Sequence, residues 1–183
     1  ALPTIYPLIS IFQQRFTTFN YFDMPHPGDS GFSKINGQSF LKSSPHFAAI
    51  GDLDELQAWL SLLISFLPEK EASLKRIIKT LGGLSGQIAG CVEGEIDKEE
   101  IDFLESKARE AEKEAGQIKE FLIFTKREAA LLNISRTVCR RAERALVALN
   151  QKETVSPRSL AYLNRLSTLL FWWAVLASNL EKT

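Results

Sequence analysis

The sequence predicts an all-α fold, a five-helix bundle with ferritin-like up-and-down packing and an irregular N-terminal arm. From His46 onward, apolar residues recur every three or four positions, which is the period of an amphipathic helix. Beyond His46, prolines occur only at Pro68 and Pro157, where helices are expected to begin or end. The preceding stretch, 25–44, is rich in proline, glycine and serine and has no helical period.

These patterns divide the chain into an arm with a phosphate-loop-like segment over residues 1–45 and a helical bundle domain over residues 46–183. Asp97 is placed to cap the third helix, and Ser156 followed by Pro157 is a favourable start for the fifth. Short connections predict antiparallel neighbours. We expect the helices at about 46–67, 71–92, 98–118, 126–151 and 156–181.

Composition and charge exclude several classes of protein. The 22 basic and 22 acidic residues of the 183 cancel, which argues against a nucleic acid or an anionic membrane as partner. Two cysteines and two histidines are too few for a disulfide framework or a structural zinc site. The longest apolar run, Leu169–Ala177, is shorter than a bilayer requires, and the N-terminus has no signal-peptide pattern. A cytoplasmic location is therefore expected.

The predicted fourth helix concentrates positive charge. Arg136, Arg140 and Glu143 fall on one stripe, Arg144 lies at its edge, and Arg141 lies between them in sequence. This polar face is either simply solvated or binds phosphate or carboxylate, with Glu143 orienting an arginine or helping to hold a metal ion. The opposite side is apolar and carries Leu131, Ile134, Val138, Ala142, Ala145 and Leu149.

Three further segments carry candidate polar groups. Asn164 interrupts the apolar fifth helix and is either a satisfied core amide or a contact to adenine or ribose. Asp54 lies near the start of the first helix. Its carboxylate either interacts favourably with the helix dipole or pairs with an arginine of the fourth helix or of a neighbouring subunit. A short turn is either an ordinary turn or a source of backbone N–H groups for phosphate. Its residues are Gly28, Asp29, Ser30, Gly31, Phe32 and Ser33.

Together these segments resemble the ATP:cob(I)alamin adenosyltransferases of the propanediol-utilisation type over about residues 27–180. The resemblance is strongest in Arg136–Arg144 (RTVCRRAER), Tyr162–Ser167 (YLNRLS) and Gly51–Leu56 (GDLDEL). It implies a five-helix bundle that forms a homotrimer, with ATP and cobalamin bound between adjacent subunits. It also implies attack of Co(I) on the 5' carbon of ATP, which yields adenosylcobalamin and triphosphate. A reductase and a cobalamin-dependent mutase are the protein partners it suggests.

The resemblance also implies residue roles. Arg140 would hold the polyphosphate beside Glu143 and Arg144, with Mg²⁺ held by Glu143, and Asn164 would contact the nucleotide. Arg136 would pair with Asp54 across a subunit boundary.

Phe121 would contact the lower face of the corrin and displace its axial base. The alternative from the residues alone is an ordinary core phenylalanine. A non-catalytic homologue that binds nucleotide or corrinoid as a carrier or regulator is the alternative to the enzyme, and a bundle without a ligand is a third hypothesis.

The sequence departs from the family pattern in three places, which we expect to weaken phosphate binding more than they affect the fold. The usual Thr-x-Thr-Gly-Asp-Lys-Gly loop reads Met24–Gly31 (MPHPGDSG) here and lacks both threonines and the lysine. The usual Leu-Pro-Gly-Gly turn is replaced by Ile123–Arg127 (IFTKR), and Thr168 stands where the family has aspartate.

Overall fold

The computed structural model describes residues 28–118 and 120–179 and confirms five helices. The first four helices end earlier than the periodicity predicted, because the chain turns before the apolar pattern stops. The second helix, for example, ends at Ile88 instead of residue 92, since Gly90 adopts a φ of 65° that a helix does not permit. The helices are α1 (Pro45–Ile64), α2 (Glu71–Ile88), α3 (Lys98–Ala115), α4 (Arg127–Asn150) and α5 (Pro157–Asn179), with a 3₁₀ turn at Pro68–Lys70 between α1 and α2.

Part of the arm is a β-hairpin and not irregular as predicted. Strands β1 (Phe32–Ile35) and β2 (Gln38–Leu41) pair in antiparallel fashion, with Phe32 opposite Leu41. A two-residue Asn36-Gly37 turn connects them, and this dipeptide is favoured in tight hairpin turns. Four-residue strands are too short to produce a recognisable alternation, so the sequence pattern resembled a loop.

The helices alternate in direction, as the up-and-down prediction requires. Helix α1 packs against α2 and α4, whereas α5 packs against α4 and α3. Helices α1 and α4 are antiparallel, because His46 at the start of α1 contacts Glu153 just after α4. Helices α3 and α5 are parallel, because Glu95 contacts Arg158 and Glu105 contacts Arg165 further along both. Helix α4 therefore lies between α1 and α5, and it is buried on two sides.

The core is a leucine-rich cluster that runs between all five helices. On α4 the buried stripe is centred on Cys139 and Ala142. Ile134, which the sequence places on the apolar side of this helix, is 37% exposed. The buried stripe is rotated around the helix relative to the apolar side read from the sequence, because α4 packs against two helices, α1 and α5, and not against one. The most deeply buried large side chains include Leu56, Leu60, Leu74, Leu81, Leu104, Leu132, Leu146 and Tyr162.

Helix α5 is long and apolar enough over Pro157–Ser178 to cross a membrane by length and composition alone. More than half of that stretch, 56%, is buried by the other helices. A central core helix of a bundle has this composition as well. The apolar surface of α5 is therefore accounted for by the core.

Candidate active site

The charged stripe of α4 faces α5, where the structure brings three predicted site residues together. Nη1 of Arg140 lies 3.7 Å from Oε2 of Glu143. Oε1 of the same carboxylate accepts a hydrogen bond of 3.3 Å from Nδ2 of Asn164 on α5. The Arg140 side chain is 49% exposed, and Arg144 is exposed one turn further along α4. Two guanidinium groups are thus open to solvent beside an amide and a carboxylate.

A hydrogen-bond network holds the Asn164 amide in one orientation. Nη1 of Arg165 donates to Oδ1 of Asn164 at 2.8 Å, and Nε of Arg165 donates to Oε1 of Glu105 on α3 at 2.8 Å. Nη2 of Arg109 donates to the other oxygen of Glu105 at 2.9 Å. The hydrogen bond from Arg165 is the main reason that the pKa of Glu105 is lowered. An amide has two N–H donors and two acceptor lone pairs, so Asn164 keeps one of each for a ligand.

Phe121 lies in the connection between α3 and α4 and is 93% exposed. The core alternative for this residue is therefore wrong. Phe121 lines a groove of about 520 Å³ together with Phe124, Phe171, Asn133 and Arg136. Phe124 and Phe171 form an aromatic wall, with ring centroids 6.4 Å apart and an edge-to-face geometry. The groove thus combines an aromatic surface with two charged side chains, Arg136 and Glu120.

Arg136 is partly buried at the edge of this groove. Its Nε donates to Oδ1 of Asn133 at 2.9 Å. Burial lowers the pKa of Arg136, and the positive charge of Arg140 lowers it further. The guanidinium remains charged near neutral pH, because arginine begins from a very high pKa. Two cations held close together, one of them partly desolvated, favour the binding of an anion between or beside them.

Arg141 forms the ion pairs between α4 and α1 within the chain. Its Nε donates to Oδ1 of Asp52 at 2.9 Å, and its Nη2 contacts Oε2 of Glu55. These hydrogen bonds raise the pKa of Arg141. Asp54, by contrast, is exposed and accepts a 3.3 Å hydrogen bond from Gln57. The expected pairing of Asp54 with Arg136 concerns two subunits and stays a prediction.

The predicted phosphate-loop-like segment is a tight glycine turn at the base of the hairpin. Gly28 adopts a φ of 109°, and its carbonyl accepts a 3.1 Å hydrogen bond from the N–H of Gly31. The N–H of Lys42 donates to the carbonyl of Gly31 at 2.8 Å. Asp29 and Ser30 are exposed, whereas Ser33 belongs to β1.

Lys42 is a candidate that the sequence analysis missed. A Cβ atom on Gly28 would lie 3.0 Å from Nζ of Lys42, so the lysine side chain covers the glycine turn. The chain therefore brings an ammonium group to the turn from the far strand, although the turn has no lysine of its own. Recognition of the hairpin would have revealed this, because Lys42 follows β2 directly and faces Gly31.

Glu143 is the acidic side chain that could share a metal ion at this site. Among residues 28–118 and 120–179, no group of three acidic, histidine or cysteine side chains is placed to bind a metal ion by itself. Magnesium usually binds through one or two carboxylates together with phosphate oxygens and water. A single carboxylate beside two arginines fits Mg²⁺ that arrives with a polyphosphate.

Cys139 lies beneath the stripe and has no role as a nucleophile. The residue is buried, and its Sγ donates a hydrogen bond of 3.3 Å to the carbonyl of Leu163 on α5. Burial raises the pKa of the thiol well above its usual range. The thiolate is therefore not formed near neutral pH.

The site thus combines exposed guanidinium groups on a helical bundle with an adjacent aromatic groove. The family described as Cobalamin adenosyltransferase matches residues 25–177. The cobalamin adenosyltransferase of Cupriavidus metallidurans is 36% identical over 149 residues, with coverage of 79% of this chain and 81% of that protein. The corrinoid adenosyltransferase of Bacillus subtilis is 32% identical over 154 residues, covering 79% and 80%.

A solved structure extends the likeness to three dimensions. A phenylalanine-to-alanine variant of the PduO-type ATP:corrinoid adenosyltransferase from Lactobacillus reuteri, complexed with cobalamin and ATP, superposes with a TM-score of 0.78. The identity is 28%, and the match covers 85% of this chain and 92% of that chain. The chain belongs to the cobalamin adenosyltransferase family.

Proposed function

We propose that the protein is a corrinoid adenosyltransferase, which transfers the 5'-deoxyadenosyl group of ATP to Co(I) of cobalamin and releases triphosphate. One observation carries this proposal above all others. An exposed aromatic groove, marked by Phe121, ends at Arg136, and Arg140 lies one helical turn further along α4. An apolar ligand and a polyanion therefore have adjacent binding surfaces. Family membership favours the enzyme over a non-catalytic carrier.

The nucleotide is expected to bind through its phosphates and its base or ribose. Arg140 and Arg144 offer guanidinium groups that bind phosphate oxygens in pairs. Backbone N–H groups of the Gly28–Ser33 turn other than that of Gly31, together with the Lys42 ammonium group, supply the second set of phosphate contacts. The donor and acceptor that remain on Asn164 suit one edge of adenine or a ribose hydroxyl.

The proposed reaction is a nucleophilic displacement. The electron pair of Co(I) forms the bond to the 5' carbon, the bond from that carbon to the phosphate oxygen breaks, and triphosphate leaves with the bonding electrons. Arg140 stabilises the negative charge that develops on the leaving oxygen. Mg²⁺ shared by Glu143 and the phosphates would neutralise further charge.

Phe121 is proposed to act on the corrinoid and not on the nucleotide. Its ring is free to contact the lower face of the corrin because 93% of the residue is exposed. Occupation of that face excludes the axial base, and loss of an axial donor makes Co(II) easier to reduce. The electrons for that reduction would come from a reductase, and the product would serve a cobalamin-dependent mutase in the cytoplasm.

A homotrimer with sites between subunits is the assembly we propose. In one chain the Gly28–Ser33 turn belongs to the hairpin, which packs near the C-terminal end of α4. Arg136 lies fourteen residues before Asn150, the last residue of α4. Fourteen helical residues span about 21 Å. Parts of one site that lie this far apart along a helix come together readily when a second copy supplies one of them. A pairing of Arg136 with Asp54 of a neighbouring subunit also requires a second copy of the chain beside the first.

The direct test follows the loss of Co(I) absorbance with ATP, Mg²⁺ and chemically reduced cobalamin. Turnover is expected from the intact protein. No turnover, under conditions in which an established family member is active, would reject catalysis. Calorimetry that detects cobalamin binding but no ATP binding would support the carrier alternative.

A matched pair of lysine variants tests the nucleotide site. Lys42→Ala should weaken ATP binding, because it removes the ammonium group over the Gly28 turn. Lys34→Ala is the control, since Lys34 is an exposed β1 residue of the same charge. Equal ATP affinities for the two variants would remove Lys42 from the proposed site.

A further inference from the structure

The β-hairpin positions both parts of the proposed phosphate turn. Gly31 is connected to Lys42 through the backbone hydrogen bond at the open end of the hairpin, and Lys42 in turn covers Gly28. Any motion of the hairpin relative to the helices therefore moves the glycine turn and the lysine together. The contacts between the hairpin and the bundle consequently determine where phosphate can be held.

A side-chain hydrogen bond and a ring contact connect this hairpin to the helical bundle. Nδ2 of Asn36 at the tip donates to the carbonyl of Gly90 just after α2, at 2.9 Å. The Phe40 ring in β2 lies against the imidazole of His46 at the start of α1, with centroids 4.8 Å apart. Both contacts border a cleft of about 350 Å³, which Glu153 also lines.

His46 itself is held from the other side by Glu153. Nε2 of His46 lies 2.5 Å from Oε1 of Glu153, which follows the end of α4. The His46 side chain is only 18% exposed, so its ring is fixed between the hairpin and the chain segment after α4. The imidazole therefore joins three segments: β2, the first turn of α1 and the end of α4.

We propose that His46 and Glu153 are positioning residues that hold the phosphate-binding hairpin on the bundle. Neither residue is part of the proposed substrate contacts. They act through Phe40, which fixes the strand that ends one residue before Lys42. The expected effect on ATP binding rests on the proposed function. The attachment of the hairpin by His46 and Glu153 does not, because it is a property of the protein without ligand.

The test compares His46→Ala, His46→Phe and Glu153→Gln in the full chain. His46→Ala removes the contacts of the imidazole with Phe40 and with Glu153. His46→Phe keeps a ring against Phe40, and Glu153→Gln keeps an acceptor for the imidazole. When a fraction of molecules has a detached hairpin, the apparent dissociation constant of ATP rises in inverse proportion to the attached fraction. We expect an increase of about five- to tenfold for His46→Ala and smaller increases for the other two.

Two measurements separate positioning from general damage. Hydrogen exchange of the hairpin amides, including the Lys42 amide, should be faster in His46→Ala, while exchange in the helices is unchanged. In steady-state assays KM for ATP should rise, with kcat at saturating ATP and KM for cobalamin preserved. Glu95→Gln is the control, because Glu95 pairs with Arg158 at the same end of the bundle and has a similar exposure.

The outcomes are distinguishable. Unchanged hairpin exchange in His46→Ala would overturn the proposal, as would a fall in kcat with KM for ATP unaltered. An effect of Glu95→Gln equal to that of Glu153→Gln would also overturn it. If the unaltered protein fails to bind ATP, the proposed function fails, but the exchange measurement still decides whether His46 attaches the hairpin.

Discussion

Adjacent arginines on α4 should have opposite effects when each is replaced by alanine. Arg140 makes one long contact, 3.7 Å to Glu143, and its side chain is 49% exposed. Arg140→Ala should therefore change the free energy of unfolding by less than about 0.5 kcal/mol. If Arg140 stabilises the leaving triphosphate, the same change should reduce kcat by about 100- to 1000-fold.

Arg141→Ala should lower the stability of the fold and leave kcat nearly unchanged. Arg141 bonds to both Asp52 and Glu55 on α1, and these ion pairs are partly exposed. Their loss should cost about 1 kcal/mol, which for a chain of this size lowers Tm by about 2–4 °C. Because Arg141 faces α1 and not α5, kcat should stay within about twofold of the unaltered protein.

The assay measures Tm by circular dichroism and turnover by the loss of Co(I) absorbance for both variants at equal concentration. Arg141→Lys serves as a further control, since it keeps the charge but loses the forked geometry. Full turnover by Arg140→Ala would refute its assignment to the leaving group. A large loss of turnover in Arg141→Ala without a change in Tm would show that the wrong arginine was placed in the site.

Three other changes test separate parts of the structure. Phe121→Ala should leave stability within about 0.5 kcal/mol, compared with about 3–5 kcal/mol for a buried phenylalanine, and should slow adenosylation; a large drop in Tm would contradict its exposure. Glu105→Gln should raise KM for ATP by releasing Arg165 and Asn164, with kcat less affected. The pKa of Glu105 is lowered in the folded chain from an ordinary value of 4.5, so its stabilising effect is present above that value and is lost as the pH falls through the folded-state pKa. The Tm difference between Glu105→Gln and the unaltered protein should therefore shrink on acidification, and a constant difference would count against the ion pair. A thiol reagent should modify Cys91 in the folded protein but reach Cys139 only after unfolding, because Cys91 is exposed and Cys139 is buried; two thiols reacting in the folded state would contradict this burial.

The helices were predictable because apolar residues recur along them at the helical period, and because Asp97 and Ser156-Pro157 mark the starts of α3 and α5. The contact of Arg140 with Glu143 was also predictable, since residues three apart in a helix are neighbours. Helix ends were less predictable, as α2 shows, because Gly90 changes the backbone direction while the apolar pattern continues. The β-hairpin was missed because its strands are only four residues long.

Contacts between helices required the structure. Sequence spacing places Asn164 on α5, but only packing sets the rotation that turns its amide toward Glu143 and Arg165. For the same reason the sequence did not distinguish Arg136 from Arg141 as the partner of an acidic residue on α1. The exposure of Phe121 could not be predicted either, since an aromatic residue before a helix is equally suited to the core.

The division of the proposed site between two copies leads to a complementation experiment. Lys42→Ala lacks the hairpin cation and should bind ATP weakly, and Arg140→Ala lacks the α4 cation, so each homotrimer alone should have little activity at an ATP concentration well below the KM of Lys42→Ala. If one subunit supplies the hairpin and its neighbour supplies α4, trimers reassembled from an equal mixture will contain some sites with both residues intact. Random assembly gives about one quarter of the sites this composition. Activity should therefore return to about a quarter of that of the unaltered protein, whereas a site formed within one chain can recover none, because every chain in the mixture then lacks either Lys42 or Arg140.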